Sequence, residues 1–168
     1  IVELIIKGIK EKTNLPVWIK LSAKDNRKGG MNIDSSVEIC KRLEAAGCDI
    51  VRITVPDIAS VETVRKIKAE GIRIPIVADI HFDYRIALEC VNAGIDKIRI
   101  NPGNIGEEWK VKEVADACKS AGVPIRIGVN SGSLEKQILE KYGSPTEEAI
   151  AESAFYHINL LEKFGFYN

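Results

Sequence analysis

PIVADIHFDYRIALECVNAGIDKIRIN, residues 75–101, decides the fold. It opens with an apolar, β-branched run that carries Asp79 and His81 at alternate positions near its end, the pattern of a strand. Asp83 then stands where a helix N-cap belongs, and YRIALECVN has its apolar residues at helical spacing. Ala93-Gly94 closes that helix, with Gly in the place that needs a left-handed backbone. KIRIN (97–101) follows as a second short strand. Strand, helix and strand in this order form a right-handed βαβ unit with parallel strands.

The pattern extends in both directions. VWIKLS (17–22), IVRITV (50–55) and PIRIGVN (124–130) read as further strands, and strand starts are 22 to 33 residues apart. AAGCDIVRI (45–53), NAGIDKIRI (92–100) and SAGVPIRI (120–127) form a faint repeat of helix end, loop and Arg-bearing strand. Gly47, Gly71, Gly94 and Gly122 all fall at that junction. Ser35 with Glu38 has capping-box spacing, and Ser144-Pro145-Thr146-Glu147 supplies an N-cap, a Pro at N1 and a Glu at N3. The last helix carries Ile150, Ala154, Ile158 and Leu161 on one stripe and is expected to leave His157 at the surface. With a first helix over roughly residues 1–13, the expectation is five strands and six main helices in a single α/β domain spanning residues 1–168.

Two architectures fit five parallel βα units. One is a partial (β/α)8 TIM-type barrel, and the other is an open, flavodoxin-like parallel sheet. One strand parity carries Lys20 and Ser22, Arg52 and Thr54, Asp79 and His81, Arg99 and Asn101, and Arg126, Gly128 and Asn130. A doubly wound sheet would bury those charges under helices, at high cost. The charge pattern therefore favours barrel strands. Length favours an open sheet or an assembly, since eight units need on the order of 200 to 250 residues. A five-unit segment has two unpaired edges, which invite pairing with another chain. The expectation is a homodimer joined near the first or fifth strand and completing the barrel. The alternative is an open sheet capped by helices 1–13 and 145–163, with Asp79 paired to an arginine.

Bulk composition is that of an ordinary globular protein, 45% hydrophobic and 29% charged. Twenty-four basic and 24 acidic residues balance, so global charge indicates no nucleic-acid partner. No apolar run approaches membrane-spanning length, and no signal-peptide pattern opens the chain. The first residue is Ile, which suggests a piece of a longer protein. Cys40, Cys48, Cys90 and Cys118 match no zinc or iron–sulfur spacing. They read as reduced core cysteines of a cytoplasmic protein.

The strand ends carry the candidate chemistry. Arg52, Arg99 and Arg126 share one parity on three strands, and converging guanidiniums suit an anion, a diphosphate above all. The rival reading is internal pairing with Asp79. His81 stands beside Asp79 as a ligand contact or a structural hydrogen-bonder, with no further His or Cys to make the pair a metal site. NPGNIG (101–106) and NSGSLEK (130–136) follow the fourth and fifth strands and offer close backbone approach, Asn101, Asn130, Ser131, Ser133 and Lys136. RKGGM (27–31) reads as a basic surface loop.

VADIHFDYRIAL (77–88), IRINPGNIG (98–106), PIRIGVNSGSLEK (124–136) and KYGSPT (141–146) resemble 4-hydroxy-3-methylbut-2-enyl-diphosphate synthase, from about Gly47 to the end. The resemblance implies the substrate-binding N-terminal barrel of an isoprenoid-pathway iron–sulfur reductase that opens the cyclic diphosphate of methylerythritol. It would make Arg52, Arg99 and Arg126 diphosphate contacts, with Asp79, His81, Asn101, Asn130 and Lys136 lining the same pocket. It puts the [4Fe–4S] cluster on a domain outside this chain, so that no cofactor and no turnover are expected here. Residues 5–49 are similar instead to old-yellow-enzyme-type flavin oxidoreductases, which would make Lys20 an FMN contact and put a chimeric join near 46–50. The remaining alternative is a recombined barrel scaffold without a ligand.

Overall fold

Apolar alternation in the strands builds the βα units, with side-chain caps at Asn32, Asp83 and Thr146 starting three of the helices. The structure, a computed structural model, describes residues 1–24 and 29–168. The elements are α1 (Val2–Lys12), β1 (Trp18–Ser22), α2 (Ile33–Ala45), β2 (Ile50–Thr54), α3 (Val61–Ala69), β3 (Ile76–Ile80), α4 (Tyr84–Asn92) and β4 (Lys97–Ile100). They continue with α5 (Pro102–Ile105), α6 (Glu108–Ala121), β5 (Ile125–Ile127), α7 (Lys136–Tyr142) and α8 (Glu147–Lys163). Gly47, Gly71, Gly94 and Gly122 all have positive φ at the helix ends, as their spacing requires. Among the described residues, no helix is long and apolar enough to cross a membrane. Arg27 and Lys28 of the RKGGM loop lie outside the described residues.

The five strands are parallel and lie in the order β1-β2-β3-β4-β5. Right-handed crossovers between consecutive strands put every connecting helix on the same face. On that face α2 packs against α3, α3 against α4, α4 against α6 and α6 against α8. The strand residues pointing at these helices, Val51, Ile53, Ile76, Ala78, Ile80, Ile98 and Ile100, are fully buried and form the core. The doubly wound, flavodoxin-like alternative is thereby corrected. It needs a reversal of strand order, and the sheet has none. The fold is a partial TIM-type barrel whose inner face stays uncovered.

Two caps differ from the spacing-based reading. The capping box of α2 is Asn32 with Ser35, the two exchanging hydrogen bonds of 2.8 Å, rather than Ser35 with Glu38. The earlier start buries Ser36, whose hydroxyl donates to the Ala23 carbonyl at 2.7 Å and ties α2 to the end of β1. Helix α8 is capped by Thr146, since the Ser144 carbonyl is taken up in a tight turn by the Thr146 amide. His157, expected at the surface, is buried, because the unforeseen helix α7 packs along α8. β5 ends at Ile127, three residues short of expectation, and the chain turns through Ser131–Ser133 instead.

One sheet face carries the core and the other carries charge, so substitutions on the two should differ sharply. Ile98→Ala should cost about 2–5 kcal/mol, whereas Arg126→Ala, on an exposed side chain of the inner face, should stay within about 0.5 kcal/mol. Urea unfolding midpoints check both.

Candidate functional site

Register aligns the inner-face residues in rows. Ser22, Thr54, Asp79, Arg99 and Arg126 are successive neighbours across the sheet, and Lys20, Arg52, Val77 and Lys97 form the row beneath. Five cations therefore share this face with one carboxylate. Lys97 was not singled out from sequence, although it stands two residues before Arg99 and must face the same way.

Asp79, on the central strand, has no exposed surface. Its Oδ2 is 2.9 Å from Lys20 Nζ and 2.7 Å from Arg52 Nη2, and its Oδ1 is 3.1 Å from Arg99 Nη1. Burial pushes the Asp79 carboxyl up, but the hydrogen bond from Lys20 and the charge of Arg52 outweigh it and hold the group below the usual carboxylate range. The internal pairing expected as the rival to an anion site is thus present. One carboxylate cannot balance three cations, however, and the face keeps a positive surplus. Arg52 Nε is buried with no protein acceptor among the described residues.

Arg99 is locked on both sides. Its Nη1 donates to Asp79, and its Nη2 donates to the Gly128 carbonyl at 3.0 Å. A Cβ on Gly128 would lie 1.9 Å from Arg99 Nε and 2.3 Å from Cζ. Only glycine lets the guanidinium lie flat against β5's end.

His81 lies just past β3, half-buried, with Nε2 3.9 Å from Asp79 Oδ2. Lys20, given to FMN by the flavin resemblance, is engaged by Asp79. Arg126 is exposed one strand beyond Arg99, without an ion pair among the described residues. Asn101 is buried and spends its amide internally, Oδ1 accepting from the Gly103 amide at 3.1 Å and Nδ2 donating to Ser133 Oγ at 2.5 Å. Asn130 is exposed at the start of the Ser131–Ser133 turn. Lys136 points outward from α7, 3.6 Å from Glu140, away from the Asp79 network. Lys20, Arg52, Asp79, His81 and Arg99 come together and Arg126 adjoins them, whereas Asn101 is spent on loop contacts and Asn130 and Lys136 make no hydrogen bond or ion pair with the cluster among the described residues.

These features define a (β/α)-barrel domain with a cationic face at the C-terminal ends of its strands. The chain belongs to the GcpE TIM-barrel domain family, whose model matches residues 15–168. It is 56% identical over 137 residues to a 4-hydroxy-3-methylbut-2-en-1-yl diphosphate synthase (flavodoxin) of Caldanaerobacter subterraneus subsp. tengcongensis, covering 82% of this chain and 38% of that one. The match to the same-named protein of Thermodesulfovibrio yellowstonii is 46% over 165 residues, 98% of this chain and 46% of that one. The chain thus spans less than half the length of these relatives. A Yersinia pestis dihydropteroate synthase structure superposes with TM-score 0.57 at 13% identity, covering 92% of this chain and 54% of that one, a likeness of fold alone. The family match runs through residues 46–50 without a break, and the Thermodesulfovibrio relative aligns with nearly the whole chain. The flavin-enzyme likeness of residues 5–49 and the join near 46–50 are not among what these matches show.

The cysteines here do not fit an iron–sulfur cluster. All four are buried, and burial pushes the Cys40, Cys90 and Cys118 thiols up to about 12, away from the thiolate a cluster needs. No three His, Cys, Asp or Glu side chains gather as a metal-ligand set among the described residues.

Two consequences are measurable. Gly128→Ala should cost about 1–3 kcal/mol by overpacking Arg99. In an Arg99→Ala background the same substitution should cost almost nothing, a non-additivity that a double-mutant cycle reads directly. Asp79 has its folded-state pKa lowered, so its contribution to stability is full above the unfolded carboxyl range, about pH 4, and is lost as pH falls through the lower folded value. Asp79→Asn should remove that part of the acid dependence. At neutral pH it should destabilise by about 2–3 kcal/mol, less than a fully buried pair because Lys20 is half exposed. Chemical unfolding across pH tests both.

Proposed function

We propose that this chain is the substrate-binding barrel of a 4-hydroxy-3-methylbut-2-en-1-yl diphosphate synthase, and that its inner face holds the substrate's diphosphate. The carrying observation is the charge count on the inner face: Lys20, Arg52, Lys97, Arg99 and Arg126 against Asp79 alone among the described strand residues. Asp79 and Gly128 hold Arg52 and Arg99 in fixed orientations, which lowers the ordering cost of binding. Arg126 and His81 add donors at the mouth, and Asn101, Asn130 and Lys136 belong to the segments that follow β4 and β5. In the complete enzyme the reaction is the reductive ring opening of methylerythritol cyclodiphosphate. The residues of this chain would contribute anchoring and orientation of the diphosphate, and an iron–sulfur group held by residues other than these would supply the reducing chemistry. Four free buried thiols suit a cytoplasmic enzyme. In isolation, the open edges of β1 and β5 favour a homodimer joined along one of them. Light scattering tests this, and a mass of 18.5 kDa at all concentrations would exclude it.

Calorimetric titration with inorganic diphosphate tests the binding site. The chain should bind it more tightly at low ionic strength, because the partners are solvent-facing cations. Arg126→Ala should weaken binding about tenfold, the value of one charge-assisted contact, with the fold intact. No heat and no shift of the unfolding midpoint at millimolar diphosphate would refute the reading.

A further inference from the structure

The loops after β4 and β5 meet at one glycine. A Cβ on Gly103 would lie 2.8 Å from the Ser133 carbonyl oxygen and 3.1 Å from Glu135 Oε1. Asn101 spans the same gap through its hydrogen bond to Ser133 Oγ, and the Ser133 amide donates to the Asn130 carbonyl at 3.1 Å. Glu135 then reaches the other way. Its Oε1 is 2.5 Å from Nε2 of His157 on α8. His157 is 97% buried by its 3% exposure, and its Nδ1, Ser153 Oγ and Glu135 Oε2 have no protein partner among the described residues. With Glu135 ionised, Nε2 carries the proton and donates. A carboxylate paired with a buried imidazole is a costly way to fill space, and its best-attested use is to select one geometry.

We infer that Glu135 and His157 are positioning residues that latch the β5 loop onto the β4 loop and hold the rim of the anion site in one arrangement. The latched loops, 101–106 and 130–135, follow the strands that bear Arg99 and Arg126. The Gly128 carbonyl that holds Arg99 lies two residues before Asn130. Slack at Glu135 is therefore transmitted to the Arg99 guanidinium. The effect on diphosphate rests on the function proposed above; the latch itself does not.

The test uses the 168-residue chain with Glu135→Ala and Glu135→Gln. Amide hydrogen exchange is followed at Gly103 and Ser133, with Ile53 and Ile80 as core references, beside titration with inorganic diphosphate. Glu135→Ala should speed exchange at both loop amides and weaken diphosphate binding by about tenfold, the order seen when an outer partner of a binding group is removed. The core amides should be unchanged, and Glu135→Gln, which can still accept from His157, should restore both readings. Ser133→Ala cuts the latch at its other joint without touching the buried pair. It should loosen Gly103 in the same way even if Glu135→Ala does not fold. Unchanged loop exchange in both Ala variants overturns the inference, as does a uniform loosening that includes Ile53 and Ile80. If the unsubstituted chain does not bind diphosphate while Glu135→Ala still frees the two loops selectively, the proposed function fails and the latch stands.

Discussion

The ion-pair cluster on Asp79 is the interaction on which the rest of the inner face depends. Parallel strands in register bring Lys20, Arg52 and Arg99 within a few ångströms of one another, an arrangement that repels itself without an anion. The carboxylate on the central strand reaches all three. It draws the long side chains inward over Val77, and the middle of an otherwise open sheet face is covered although no helix packs there. The anion also leaves the cluster under-neutralised. A face held by one carboxylate that does not neutralise it is stable enough to fold and still attractive to an anionic ligand.

That arrangement is available only because the sheet is singly wound. Consecutive order with right-handed crossovers sends every helix to one side, so hydrophobic burial and charge are divided between the two faces rather than mixed. The division explains how a chain shorter than half its relatives retains a complete core. Each βα unit buries its own outward residues against its own helix and the next one, as Ile53, Ile80 and Ile98 do. What five units leave open is the inner face and two strand edges, which closure of a full barrel covers.

Much of this was legible along the chain because it is local. The period-two alternation that placed Arg52, Asp79 and Arg99 on one side is a property of the extended backbone. The glycines at helix ends are required by positive φ, whatever surrounds them. Asp83 caps α4 where its position predicted. Where two capping residues competed within a turn, local signals were insufficient. Asn32 prevailed because its earlier helix start lets Ser36 reach Ala23. His157 was misjudged for a related reason: a helical stripe shows which residues face the main core, not that a second short helix will cover the flank.

By itself, then, the sequence determined the strands, the helix ends, the side of the sheet each charge occupies and the family, since all of these reside in short patterns and in matched residues. Tertiary structure alone decided which of those charges meet. That Arg52, Arg99 and Lys20 share one carboxylate depends on strand order and register. That Gly128 is a seat for Arg99 depends on an approach between side chain and backbone across two strands. That Glu135 finds His157 depends on α8 returning beside the β5 loop. Each is a contact between residues at least 20 positions apart, held by the packing of the whole.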